Sequence, residues 1–287
     1  ALISRLRLAD VVYVQQCLTE VGLFAASHAR LLGKAVYGSD AGAGEATALK
    51  ENPDLARIFD GFHAISEFAA LAYEGLEVPV HVIPGPVDSP SYPPAAPYAK
   101  RDRTSVVSLG RLLPHKGFER TIRALPKSLS LDIIGQPYDP AYTQFLHACA
   151  EGKNVRFHAD MADEEVKAVL QRAGLFVHAS THVDYLGRFY HKPELLGRAP
   201  LEALSMGLPA LVSDAGSLPE LGKLAGCQVF RSDAALANYL ESFAAAEFAV
   251  PAPHEMHAAV AENYGPLRVG SGLLAMMRLI PHAHSAH

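Results

Sequence analysis

Cysteine is scarce in this 287-residue chain. Cys17, Cys149 and Cys227 are odd in number and far apart, which argues against a disulfide framework and fits reduced thiols in a cytoplasm. No apolar run reaches the ~20 residues of a membrane span. Positive charge is not in excess either, since 25 Lys and Arg against 30 Asp and Glu leave a formal −5. Nothing in that balance points to a nucleic-acid surface, and any phosphate must be met by a few local cations. No G-x-G-x-x-G follows an apolar run, and GAGEA at 42–46 lacks the third glycine, so the nicotinamide-dinucleotide class is set aside. Most of the 14 histidines, including His282, His284 and His287, lack metal-ligand spacing with acidic or Cys partners, and no metal site is expected. His63 reads as a core residue on a strand. With 49% hydrophobic and 19% charged residues, the chain is neither a disordered tail nor a coiled coil.

What is present is alternation. Short apolar runs alternate with amphipathic segments, the mark of βα units around parallel sheets and hence of the α/β class. Strands are expected at 11–16, 34–39, 61–66 and 78–83, with a helix over 19–32. The Pro-rich, charged stretch 84–103 reads as a linker. A boundary near residue 101 gives domains of 1–101 and 102–287. Beyond it, strands at 104–110, 129–135, 154–159, 174–180, 209–214 and 227–230 alternate with helices, as in a doubly wound domain. The tail over 253–281 is expected to be helical. ALISRLRLAD at the start reads as the last turns of a helix, as though the chain were entered within a domain.

Two segments carry chemistry. In GRLLPHKG, Gly110 ends a strand and Gly117 opens a helix, so Arg111 and Lys116 fall at the carboxyl edge of the sheet, where α/β ligands bind. Two cations beside free amides at a helix start suit a diphosphate, although the same string also fits two solvated charges beside a turn. In ELLGRAPLEALSMGLPALVSD, Glu194 and Glu202 flank Gly197 and Pro200. Proline favours the first helical position, so a helix is expected to start near Pro200, with Glu194 in the preceding loop and Glu202 in the first turn. There Glu202 can equally serve as an acid that complements the helix dipole, and Glu194 as a solvated loop acid.

Together these segments resemble the retaining glycosyltransferases of family 4, which have the GT-B fold of two Rossmann-like doubly wound domains facing a cleft. The family's G-R-L-x-x-x-K-G string matches Gly110, Arg111 and Lys116, and its Glu-x7-Glu motif matches Glu194, Gly197, Glu202, Ala203, Gly207 and Pro209. The resemblance implies an enzyme using a nucleotide diphosphate sugar, such as a UDP-sugar or GDP-mannose, as donor substrate, with no further cofactor. Arg111 and Lys116 would then bind the diphosphate and Glu194 the donor sugar's hydroxyls near the reacting centre, while Glu202 takes the ribose. Leu195, Leu196, Gly197 and Arg198 would offer backbone amides, and the stretch from His158 to Met161 would frame the base. The acceptor implied is a sugar, a lipid-linked molecule or another small molecule. The setting implied is cytoplasmic, at most peripherally associated with the inner face of a membrane. No D-x-D string occurs, so the cations are expected to stand in for a metal ion.

The chain also departs from the family. Ser39 and Asp40 replace a His-containing pair, and Gly85 to Asp88 replace N-G-V-D. The loop between Ser180 and Glu194, with Tyr185, Arg188, Phe189, Tyr190, His191 and Lys192, is long, and reads equally as a pocket wall or a surface insertion. The N-terminal domain reads as short, lacking an opening strand and Gly-rich loop. A second expectation is therefore a nucleotide-sugar-binding half-enzyme that needs a missing segment or partner chain for activity.

Overall fold

The alternation of apolar runs folds into two parallel sheets in a computed structural model that describes residues 2–40, 47–94 and 97–278. In chain order the first elements are α1 (Leu2–Leu8), β1 (Val11–Gln15), α2 (Glu20–Leu31), β2 (Ala35–Ser39), α3 (Thr47–Glu51), α4 (Pro53–Ala56), β3 (Gly61–Ala64), α5 (Glu67–Ala70) and β4 (Val80–Val82). The four strands pair in the order β1-β2-β3-β4, without reversal. Period-2 alternation sorts their side chains. Val12, Val14, Val36, Phe62 and Ala64 pack against Ala26, Ala29 and Phe59, while Val11, Tyr13, Ala35 and Tyr37 face the other way. His63 on β3 is buried as expected: its Nε2 lies 2.6 Å from the Ile83 carbonyl and its Nδ1 2.6 Å from the Tyr13 hydroxyl. Burial holds this imidazole below its ordinary pKa, so it is neutral, with Nε2–H donating and Nδ1 accepting. The GAGEA string lies outside the described residues, as do the three terminal histidines.

The second unit comprises β5 (Asp102–Leu109), α6 (Phe118–Ala124), β6 (Ser130–Ile134), α7 (Pro140–Ala150), β7 (Val155–His158), α8 (Asp163–Arg172), β8 (Ala173–His178), α9 (Arg198–Ser205), β9 (Ala210–Ser213), β10 (Cys227–Phe230), α10 (Asp233–Ala244) and α11 (Pro253–Tyr264). Its strand order, β10-β9-β8-β5-β6-β7, reverses between β5 and β8. Helices cover both faces, which is why β6, β8 and β9 are buried at every position and are mostly apolar, with Asp132 and His178 as buried titratable exceptions. The reversal point is where a doubly wound sheet binds its ligands. The loops after β5 and β8 both open there.

The division of the chain differs from the expectation in two respects. It falls at Pro86/Val87 rather than near residue 101. The stretch that reads as a linker is tied into the second unit: the Val87 amide donates to the Tyr264 carbonyl at 2.8 Å and the Tyr98 hydroxyl to that of Gly174 at 2.9 Å. Arg101 is buried and spends its guanidinium on the carbonyls of Leu170, Gln171, Ala173 and Met206 at 2.6–3.0 Å. The tail also divides. Gly265 and Pro266 break it, and the last helix, α12 (Pro266–Arg278), belongs to the first unit, where Val269 and Met276 pack on Tyr37 and Ile83 and so cover the second face of the first sheet.

Arg101→Met is expected to lower stability by about 3 kcal/mol or more, since each buried carbonyl left without a donor costs about 1–3 kcal/mol. The midpoint of a urea unfolding curve checks it. A variant as stable as the parent would show that Arg101 is dispensable to this packing.

Candidate active site

Parallel pairing of β5 with β8 sets two strand exits side by side. The chain leaves β5 through Gly110 and returns to α6 at Gly117, whose φ of +63° is left-handed and whose added Cβ would lie 2.2 Å from the Ala179 carbonyl oxygen. Only glycine lets the two exits approach this closely. The Thr181 amide donates to the His115 carbonyl at 2.9 Å and completes the seam.

Lys116 and Glu194, far apart in sequence, meet across this seam. The Lys116 ammonium donates to Glu194 Oε2 at 2.7 Å, with side-chain exposures of 12% and 15%. His178, the last residue of β8, places Nε2 2.8 Å from the same oxygen, and Ser180 Oγ lies 3.2 Å from that nitrogen. Burial alone would push the Glu194 carboxyl up. The hydrogen bond and charge of His178, with the Lys116 ammonium, more than offset this and hold it well below the usual carboxylate range. Neighbouring His115 is pushed down to about 4, first by burial and then by the Lys116 charge. The backbone of Glu194 is fixed as well: its carbonyl accepts from the Ser217 amide at 3.1 Å, and Gly216, at φ +59°, leaves no room for a Cβ.

The other expected residues lie around this core. Arg111 is exposed, its guanidinium 5.8 Å from the centre of the Tyr138 ring, and no hydrogen bond or ion pair joins it to Glu194 among the described residues. Helix α9 starts at Arg198, not Pro200, because proline is tolerated throughout the first turn, where its missing N–H has no intrahelical acceptor. Glu202 therefore falls in the second turn, which weakens the helix-dipole explanation for it. It is 14% exposed, 3.5 Å from Arg198, and burial raises its carboxyl pKa. Leu195 and Leu196 link Glu194 to Gly197, which caps α9 at φ +78°. Met161 sits half-buried in the loop after β7, next to Asp160 at φ +57°, and no contact joins it to Lys116 or Glu194 among the described residues. His158 instead faces a buried acid, with Nε2 2.7 Å from Asp132.

The long loop is a built structure. Asp184 is buried and accepts from the amides of Leu186 and Arg188 at 2.9 and 3.0 Å and from the Tyr190 hydroxyl at 3.1 Å. Tyr185 stacks on Phe145 of α7 at 4.1 Å, while Tyr190 rests against His115 with ring centres 5.0 Å apart. The loop thus borders the Lys116 seam.

Sequence reasoning missed His178. Within GLFVHAS it passes for one more strand residue; the available signal was a titratable side chain at the carboxyl end of a central strand. Among the described residues, no cluster of three or more His, Cys, Asp or Glu is arranged to hold a metal ion.

Residues 95–262 match the family model for glycosyl transferases group 1. The chain belongs to that family. Its curated relatives include a subunit of phosphatidylinositol N-acetylglucosaminyltransferase from Saccharomyces cerevisiae, 26% identical over 155 residues, or 50% of this chain and 32% of that protein. Another is a GDP-mannose-dependent phosphatidylinositol monomannoside mannosyltransferase from Mycobacterium tuberculosis, 29% identical over 136 residues, or 43% of this chain and 33% of that protein. The chain thus aligns with about a third of the length of these relatives. Among solved structures, Anabaena HepE in complex with UDP-glucose superposes with a TM-score of 0.73 at 18% identity, covering 97% of this chain and 81% of that one. A glycosyltransferase involved in avilamycin A biosynthesis gives 0.67 at 19% identity, covering 96% and 76%. These neighbours have the GT-B fold, and this member of the family shares it. No helix among the described residues is long and apolar enough to cross a membrane.

Proposed function

We propose that this glycosyltransferase moves a sugar from a nucleotide diphosphate sugar to a sugar, lipid-linked or other small-molecule acceptor, with retention at the anomeric carbon. One observation carries the reading. An ammonium and an ionised carboxylate, Lys116 and Glu194, are held together at the reversal point of the second sheet, beside the starts of α6 and α9. Lys116, with Arg111 as a second and more exposed cation on the same segment, stabilises the charge that grows on the diphosphate as the anomeric C–O bond breaks. These cations take the place a metal ion holds in other transferases. Glu194 accepts hydrogen bonds from donor-sugar hydroxyls, Glu202 from the ribose, and the amides opening α9 face the sugar and phosphates. Retention follows if the acceptor oxygen attacks from the face the diphosphate leaves.

The test is a thermal-shift screen of the chain with UDP-, GDP- and ADP-sugars, followed by a transfer and hydrolysis assay with the sugar that binds. A ligand that binds only the folded state raises its melting temperature. Binding with turnover is the expected result. Binding without turnover favours a nucleotide-sugar-binding half-enzyme that needs a further segment or partner, and no binding to any of the three contradicts both.

A further inference from the structure

We propose that His178 is a positioning residue that holds the Glu194 carboxylate in place when the donor diphosphate draws Lys116 away. The inference rests on the function proposed above. Lys116 Nζ and His178 Nε2 bond the same oxygen of Glu194, at 2.7 and 2.8 Å, while Oε1 takes no hydrogen bond from any described residue. In this arrangement the cation assigned to the diphosphate is already neutralised by the carboxylate assigned to the sugar. A diphosphate carries more charge than a carboxylate, so donor binding turns the ammonium toward phosphate and removes one of the two ties on Oε2. The backbone of Glu194 is locked by Ser217 and Gly216, which leaves only its side-chain torsions free. His178 restrains those torsions. It is 8% exposed and rooted in the central strand β8. Ser180 Oγ lies 3.2 Å from the same nitrogen and is the more distant of its two acceptors, so the N–H points chiefly at Glu194. Lys116, His115 and Arg111 on the segment after β5, and His182 through Gly216, are charged or titratable groups close to the pair, and Glu194 is the one carboxylate that a hydrogen bond joins to His178 among the described residues. With Oε2 retained by His178, Oε1 presents itself to a sugar hydroxyl in one orientation.

The experiment compares nucleotide with nucleotide sugar. Calorimetric titrations with UDP and UDP-glucose, and with GDP and GDP-mannose, give for each protein the ratio of sugar-nucleotide to nucleotide affinity. His178→Phe keeps a ring but loses the donor; it should lower that ratio about tenfold, the value of one charge-assisted hydrogen bond, with nucleotide affinity unchanged. His178→Gln, which restores an N–H donor, should recover most of the ratio. A merely structural role would weaken both ligands alike and would not be rescued by glutamine.

Should the phenylalanine variant not fold, wild-type protein labelled with 15N-histidine answers the same question: the hydrogen-bonded His178 Nε2 signal should persist on adding UDP. An unchanged ratio in His178→Phe, a glutamine variant no better than phenylalanine, or loss of that signal with UDP would overturn the inference and leave the proposed function standing. A wild-type chain that binds none of the UDP, GDP and ADP pairs overturns the proposed function, and this inference with it; if only the ADP pair binds, the same ratio is measured with ADP and ADP-glucose.

Discussion

Lys116→Ala is expected to lower sugar transfer by about 10²–10³-fold, the range found when one preorganised donor to a developing negative charge is removed. The effect falls mainly on turnover. The charge on the leaving diphosphate is greatest in the transition state, and an interaction stronger there than in the ground state acts on kcat. Lys116 is largely buried, and what little water reaches it screens it poorly, so its contribution exceeds that of a surface lysine. Arg111→Ala provides the internal comparison. Its guanidinium is exposed over Tyr138 and not tied to Glu194, so its removal should cost less than that of Lys116. Steady-state kinetics on the two variants check the order. Equal losses would mean that Arg111 moves into the site when donor binds.

Glu194→Ala should weaken the sugar part of donor recognition by about 10- to 100-fold for each charged hydrogen bond to a hydroxyl that is lost. It leaves Lys116 and His178 without their shared anion, so nucleotide affinity should hold or rise slightly as Lys116 turns freely to phosphate. That divergence, sugar binding down and nucleotide binding not down, is the signature to look for in competition titrations. A parallel loss of both would place Glu194 in the scaffold and not on the sugar.

Much of the fold is legible in the sequence because period and punctuation dominate it. The runs at 129–135 and 174–180 are apolar but for Ser130, Asp132, His178 and Ser180, since both faces of β6 and β8 are covered, and they fall within a residue or two of the observed strands. The misplaced boundary has a definite cause. Proline and charge mark 84–103 as linker-like, and nothing local shows that the Arg101 guanidinium will bind four carbonyls some 70 to 105 residues further on. The expected single helical tail is cut by Gly265 and Pro266, a local signal that sequence reasoning passed over, while the covering of the first sheet by α12 depends on Tyr37 and Ile83, far from it in sequence.

The site divides in the same way. Lys116 and Glu194 stand out as a cation and an acid beside glycines at strand–helix junctions, each with a local signature. Their direct ion pair, and the part His178 takes in it, come from the pairing of β5 with β8, a long-range contact that no short string encodes. Pro200 misled by two residues: the first turn accepts proline at any position, and one residue cannot fix the register of a helix start.

The most direct test is a crystal structure of this chain with a bound nucleotide diphosphate sugar. The diphosphate should lie within hydrogen-bond distance of Lys116 Nζ, the sugar hydroxyls on the Glu194 carboxylate and the ribose at Glu202. A nucleotide sugar bound elsewhere, with the Lys116–Glu194 pair intact, would contradict the assignment.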